Sequence, residues 1–189
     1  MRLRRAWVLL AGAFLVSVGY NAFTIAPAPV LPLLAAEFGV DKPTAGLSIS
    51  AVYVSWVLLQ IPGGLLMDRH DNRLLVGAGV AAYLVAAAGS YLAPTYPLFL
   101  LARALGGASA VFIWTASANV VATAFPASRR ALGTSLFVAS ASAGFALGQF
   151  LGPRVAAAAG WRAVFLVYPV ATLVGVPLFA LAAREPVRN

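Results

Sequence analysis

Apolar residues in this chain of 189 run in six unbroken stretches, at 6–34, 44–67, 74–92, 97–123, 131–151 and 163–183. The short segments between them carry nearly all the charge. Each stretch is long enough to cross a hydrocarbon core of about 30 Å as a helix, which takes about 20 residues. Membrane β-strands alternate apolar and polar positions, and these runs do not. The pattern predicts an all-α integral membrane protein: one domain, 1–189, of six transmembrane helices, with little chain left for a soluble enzyme domain. The first stretch follows Arg2, Arg4 and Arg5 in the manner of a signal peptide. Its apolar run exceeds the usual length of about 7 to 15 residues, and five more stretches follow, so it reads as a retained first helix.

Within the stretches the polar side chains are unevenly shared. Helix 1 places Ser17, Tyr20, Asn21 and Thr24 on one face, because residues three, four and seven apart lie above one another. Helix 2 aligns Tyr53, Trp56 and Gln60, helix 4 aligns Arg103, Gly107, Ala110 and Trp114, and helix 5 aligns Ser135, Ser142 and Gln149. Helices 3 and 6 offer little beyond Tyr83, Tyr168 and Thr172. Polar faces avoid lipid, so helices 1, 2, 4 and 5 are expected to surround an interior or aqueous cavity, with 3 and 6 outside. Hydroxyl and amide side chains also join helices to one another. A guanidinium inside a span is harder to accommodate and points by default to function. The expected cavity residues are Tyr20, Asn21, Tyr53, Gln60, Arg103, Trp114 and Gln149. No acid lies within a span, since Glu37, Asp41, Asp68, Asp71 and Glu185 sit at ends or in loops, so no buried carboxylate is at hand to carry a coupling proton. Pro27, Pro29 and Pro32 predict an irregular outer end of helix 1, and 37–43 reads as a short outer loop.

Composition agrees with a lipid solvent. The chain is 62% hydrophobic and 10% charged, with a mean hydropathy of +0.91, whereas soluble chains are roughly 45–50% apolar and about a quarter charged. The net charge of +8 would suit nucleic acid only on a soluble fold with a basic face; no nucleic-acid partner is expected. Instead Arg2, Arg4, Arg5, Arg69, Arg73, Arg129, Arg130, Arg184 and Arg188 fall in the tails and in the 2–3 and 4–5 loops, all on one side of a six-span chain. Only Lys42, Arg154 and Arg162 flank the other side. Nine against three places both termini in the cytoplasm of a multi-pass protein in the cell (plasma or inner) membrane. There is no cysteine, and the single His70 builds no metal site alone; neither metal nor cofactor is expected. An intramembrane serine protease needs a meeting Ser and His, but Ser109 is mid-span and His70 lies in a loop.

Helix 2 ends Gly64-Leu65-Leu66-Met67-Asp68-Arg69-His70-Asp71-Asn72-Arg73. An acid at a helix C-terminus opposes the macrodipole, so Asp68 calls for a partner, Arg69 or Arg73 locally or another helix's N-terminus. Gly64, after Gly63, permits close approach of a neighbouring helix. This segment resembles the loop signature of the major facilitator superfamily, G-x-x-x-D-R-x-G-R-R/K, matching at Gly64, Asp68, Arg69 and Arg73 and departing at Asp71 and Asn72. Arg103 and Gly107 are similar to the family's R-x-x-x-G motif. Gly144, Gly148, Gly152 and Pro153 are similar to the G-x-x-x-G-P motif of its antiporter branches, with Ala156-Ala157 where Gly-Gly is usual. Trp161-Arg162 also fits. The resemblance implies the N-terminal six-helix half of a major facilitator fold, itself a 3+3 inverted repeat. It further implies a cytoplasmic gate at Gly64, Asp68, Arg69 and Arg73, substrate or proton handling by Arg103, and helix packing and bending at Gly107, Gly144, Gly148, Gly152 and Pro153. The function expected is secondary-active transport of a small solute by alternating access, with Arg103 favouring an anionic or carboxylated one. The expected partners are that solute, membrane lipid and a second six-helix half, as a homodimer or a separate chain. The alternative is a non-transporting membrane interaction subunit or a truncated transporter half.

Overall fold

A computed structural model describes residues 2–183, with side chains from 3 to 182. Arg184, Glu185, Arg188 and the side chain of Arg2, used above in the charge pattern, lie outside the described residues. Six helical spans are long and apolar enough to cross a membrane. The first comprises α1 (Arg2–Ile25), a 3-10 turn and α2 (Leu31–Phe38); the second and third are α3 (Lys42–Arg69) and α4 (Asn72–Leu92). The fourth runs from α5 (Tyr96–Ala110) through a π-helical turn, Val111–Ala116, into α6 (Ser117–Ala124). The fifth is α7 (Ala127–Ala159), and the sixth joins a 3-10 turn, α8 (Val164–Val167) and α9 (Pro169–Ala183).

The breaks follow from local chemistry. Pro27 and Pro29 have no amide hydrogen to continue the ladder, so α1 stops at Ile25. Pro32 falls in the first turn of α2, where a missing donor costs nothing. Gly39, at φ 65°, closes α2 in the left-handed region with its N–H on the Ala35 carbonyl. Asp41 caps α3 by accepting from the Thr44 amide at 2.9 Å, and hydrogen bonds from Thr44 hold its carboxyl below the usual carboxylate range. The outer loop, expected over 37–43, thus shrinks to 39–41. The fifth helix, expected over 131–151, begins at Ala127, just after Pro126, and runs on to Ala159, where the alanine-rich run 155–159 favours helix.

Packing reveals the repeat. α1 lies along α7 and α9, and α5 lies along α3 and α4. The first span therefore stands to the fifth and sixth as the fourth stands to the second and third, the exchange that an inverted 3+3 repeat requires. The few polar groups of the third and sixth spans turn inward: Tyr83 donates to the Gly19 carbonyl at 3.1 Å, Tyr168 to Gly148 at 2.8 Å and Thr172 to Val16 at 3.2 Å. Apolar side chains are uncovered along α3, where Val57, Leu58 and Ile61 are 67%, 69% and 78% exposed, along α7, at Leu132, Val138 and Phe150, and on the outer faces of α4, at Leu74, Val85 and Leu92, and of the sixth span, at Val170, Leu173 and Val174.

Candidate functional site

Residues of α1, α3, the fourth span and α7 enclose a cavity of about 230 Å³, and none of its lining comes from the third or sixth span. Tyr20, Asn21 and Thr24 form one wall, Val52, Tyr53 and Trp56 a second, and Ala110, Trp114, Ala141 and Phe145 the rest. The polar groups are held by the backbone. Asn21 Nδ2 donates to the Ser17 carbonyl at 2.8 Å, Thr24 Oγ1 to Tyr20 at 3.1 Å, and the Tyr20 hydroxyl crosses to the Gly106 carbonyl at 3.2 Å. Trp114 sits in the π-helical turn, a form that recurs at functional sites, and its ring packs on Phe137 with centroids 5.1 Å apart. Trp56 Nε1 is buried and has no hydrogen-bond partner among the described residues.

Four of the seven expected cavity residues, Tyr20, Asn21, Tyr53 and Trp114, meet here. Arg103 does not line the cavity. It faces the same way as Ala110 but lies about 10 Å farther along α5, where α1 and α3 close over it completely. Its Nε donates to the Ser48 carbonyl at 3.1 Å, and its two terminal nitrogens to the Phe23 and Thr24 carbonyls at 2.9 and 2.6 Å. The Thr24 carbonyl is left without a backbone donor where α1 ends at Ile25, and the Phe23 carbonyl, which Pro27 cannot serve, otherwise takes only the Ala26 amide at 3.2 Å. The guanidinium also stacks over the Phe23 ring, 4.2 Å from its centroid. Arg103 is thus a clamp across the break in the first span. Gln60, half-buried on α3, and Gln149, exposed on α7, also stand outside the lining. The cavity spans only about one turn of α1 and α3, so shared azimuth does not bring them to it.

The expected gate residues gather at the end of the bundle where α3 meets α4. Asp68 and Arg69 are exposed there, and among the described residues no ion pair involves Asp68. Asp71, standing where the family motif has Gly, caps α4 by accepting from the Arg73 amide at 2.9 Å. Close packing falls to Gly63, whose added Cβ would run into Val111; at Gly64 it would meet nothing within 4 Å. The other motif glycines are contact points. A Cβ at Gly107 would strike the Val52 carbonyl, at Gly144 it would lie 2.6 Å from Asn21 Cβ, and at Gly152 2.6 Å from the Pro29 ring. α7 continues as one helix through Pro153. Ser109 donates to the Gly106 carbonyl at 2.6 Å, far from His70 at the end of α3.

One cluster was not foreseen. Glu37, expected in a loop, ends the first span and takes hydrogen bonds from Trp161 Nε1 and, at 2.8 Å, from Arg162 Nε; Arg162 also reaches the Tyr91 carbonyl at 2.8 Å. The Trp161-Arg162 pair was the available signal.

The absence of cysteine permits a direct accessibility test. Single cysteines at Tyr53 and Trp114 are expected to react with a small polar thiol reagent in membranes. Cysteines at Arg103, which is enclosed, and at Leu173, which is 54% exposed on the sixth span, are expected to stay unlabelled. Equal labelling at all four positions would remove the cavity.

Comparison with known proteins gives concordant results. The model of the Major Facilitator Superfamily matches residues 9–189. Protein spinster homolog 1 of Xenopus laevis is 30% identical over 172 residues, covering 89% of this chain and 32% of that protein. The multidrug efflux pump LfrA of Mycolicibacterium smegmatis is 30% identical over 185 residues, covering 95% of this chain and 35% of the pump. The chain therefore spans about a third of the length of these relatives. Among solved structures, a bacterial homolog of the human lysosomal transporter spinster, inward-facing and unoccupied, superposes with a TM-score of 0.78 at 22% identity. That match covers 98% of this chain and 44% of the other.

Proposed function

We propose, from the premise that this chain belongs to the major facilitator superfamily, that its six helices form one half of a secondary-active transporter moving a small solute by alternating access. The observation that carries the reading is the cavity between the first, second, fourth and fifth spans, flanked by the uncovered apolar strips of α3 and α7. A second six-helix unit, related to the first by an axis along the membrane normal, would cover both strips and complete the cavity. A copy of this chain or a separate chain meets that need. Asp68, Arg69 and Arg73 then supply charge at the end where the two units meet and part. By the arginine pattern that end faces the cytoplasm, with the chain in the cell membrane.

The lining bears on the solute. Aromatic rings and short polar groups dominate it, and among the described residues no charged side chain contributes. The anionic preference expected from Arg103 has no group in the lining to rest on. The better fit is a solute with an apolar or aromatic body and a few hydrogen-bonding groups, a chemistry in keeping with the multidrug efflux pump among the similar proteins.

Crosslinking in native membranes, followed by uptake of a fluorescent aromatic dye into liposomes at graded protein-to-vesicle ratios, tests this reading. The expected result is a crosslinked pair of six-helix units and uptake that vanishes when vesicles hold one unit each. A strictly monomeric chain that still transports would overturn the pairing. A stable pair without flux of any dye, in either gradient direction, would favour an interaction subunit instead.

A further inference from the structure

Two hollows at the arginine-rich end share one pair of charged residues. The first, about 400 Å³, descends between α4 and α9, with Val80 and Phe179 in its floor, Gly77 and Ala180 on its walls, and Asp71 and Arg73 at its mouth. The second, about 430 Å³, opens from the same Asp71 and Arg73 toward the end of α6, where His70, Asn119 and Thr123 surround it. The first is mostly apolar, and polar side chains make up most of the residues around the second. From Arg73 to Val80 the groove climbs about 10 Å along α4, two-thirds of one leaflet's half of a hydrocarbon core about 30 Å thick. Val16 of α1 also lines the groove and no lining residue belongs to α3, α5 or α7, so it lies away from the cavity and from the α3 and α7 faces that the paired unit of the proposed function would cover.

We infer that these joined hollows hold one anionic glycerophospholipid, an acyl chain between α4 and α9, the phosphate at Arg73, and headgroup hydroxyls in the polar hollow. Each part of the arrangement asks for a different part of that molecule. A slot of small and branched residues takes a hydrocarbon chain and offers a free phosphate nothing. Arg73 presents a planar fork suited to phosphate oxygens. Asn72 borders the polar hollow, and its Oδ1 is enclosed without a hydrogen-bond partner among the described residues; turning the side chain into the hollow lets a headgroup hydroxyl supply the missing donor. Choline, with no N–H or O–H, cannot. Arg69, Arg129 and Arg130, exposed at the same end of the bundle, add charge that favours an anionic headgroup. The inference needs only a membrane-spanning chain and holds whether or not the transport reading does.

Gly77 provides the test. A Cβ there meets nothing within 4 Å, so a side chain at Gly77 leaves the helix without a clash, and Gly77→Leu places its branched end in the groove that Gly77 lines. Gly46, equally open in α3, gives the control. Bound lipid is counted by native mass spectrometry of detergent-purified protein titrated with phosphatidylglycerol or phosphatidylcholine. The parent chain and Gly46→Leu are expected to retain one phosphatidylglycerol per chain, with phosphatidylcholine held several-fold more weakly. Gly77→Leu is expected to lose phosphatidylglycerol several-fold at an unchanged unfolding temperature, and Arg73→Gln to weaken both lipids, because both carry the phosphate that Arg73 holds. Equal phosphatidylglycerol retention by Gly77→Leu and Gly46→Leu, or no preference for phosphatidylglycerol in the parent, would overturn the site.

Discussion

Replacing Arg103 by methionine is expected to lower the stability of the folded chain by about 2–4 kcal/mol, and replacing it by lysine to lower it further. Three hydrogen bonds leave the buried guanidinium for carbonyls of two other helices. Polar contacts between membrane helices average about 0.6 and reach about 1.7 kcal/mol each, and the cation–π contact with Phe23 adds about 0.5–2 kcal/mol. Methionine forfeits these but also removes a charge from an enclosed site, which offsets part of the loss. Lysine keeps the charge and loses the fork: a single ammonium cannot meet carbonyls on both α1 and α3 in the same geometry. An under-bonded buried charge costs about 3–5 kcal/mol. The order arginine, methionine, lysine therefore identifies a clamp. A residue kept for its charge alone would put lysine second. Unfolding of the three proteins in detergent, followed by helical circular dichroism, separates the two orders.

Gly107→Leu is expected to abolish the folded protein, whereas Gly64→Ala is expected to leave it intact or more stable by up to about 1 kcal/mol. At Gly107 the backbones of α5 and α3 are in contact, and even a methyl group would overlap the Val52 carbonyl and lie 2.9 Å from Ser55 Cβ. Overpacking ordinarily costs about 1–3 kcal/mol because side chains give way. Here the obstacle is backbone, so the two helices must separate and the cavity wall that α3 contributes moves with them. Gly64 faces open space, and alanine is the better helix former by about 1 kcal/mol. Gly63→Leu is expected to be milder than Gly107→Leu, at about 1–3 kcal/mol, because the obstacle is the Val111 side chain rather than backbone. The share of protein eluting as a single sharp peak in size-exclusion chromatography measures all three. A well-folded Gly107→Leu would mean that α3 and α5 are farther apart than described.

The six spans, the irregular outer end of the first and the polar faces were legible in the chain itself, since each answers a local demand. A bilayer leaves a backbone no partner but its own helix, so length and hydropathy mark the spans. Proline withholds a donor wherever it stands. A turn of about 100° per residue fixes which side chains share a face, and so Tyr20, Asn21, Tyr53 and Trp114 could be grouped before any helix was placed beside another. Depth and neighbours are not local. Arg103 has the azimuth of a cavity residue, yet its height puts it under the broken end of α1, where its fork reaches the Phe23 and Thr24 carbonyls. Gly63 and Gly64 are adjacent in the chain, and only the position of Val111 decides which is a contact point. Glu37 gains its role from Trp161 and Arg162, more than 120 residues later. Periodicity gives each helix a direction to face; the distance to the next helix, and what waits there, belongs to the packing of all six.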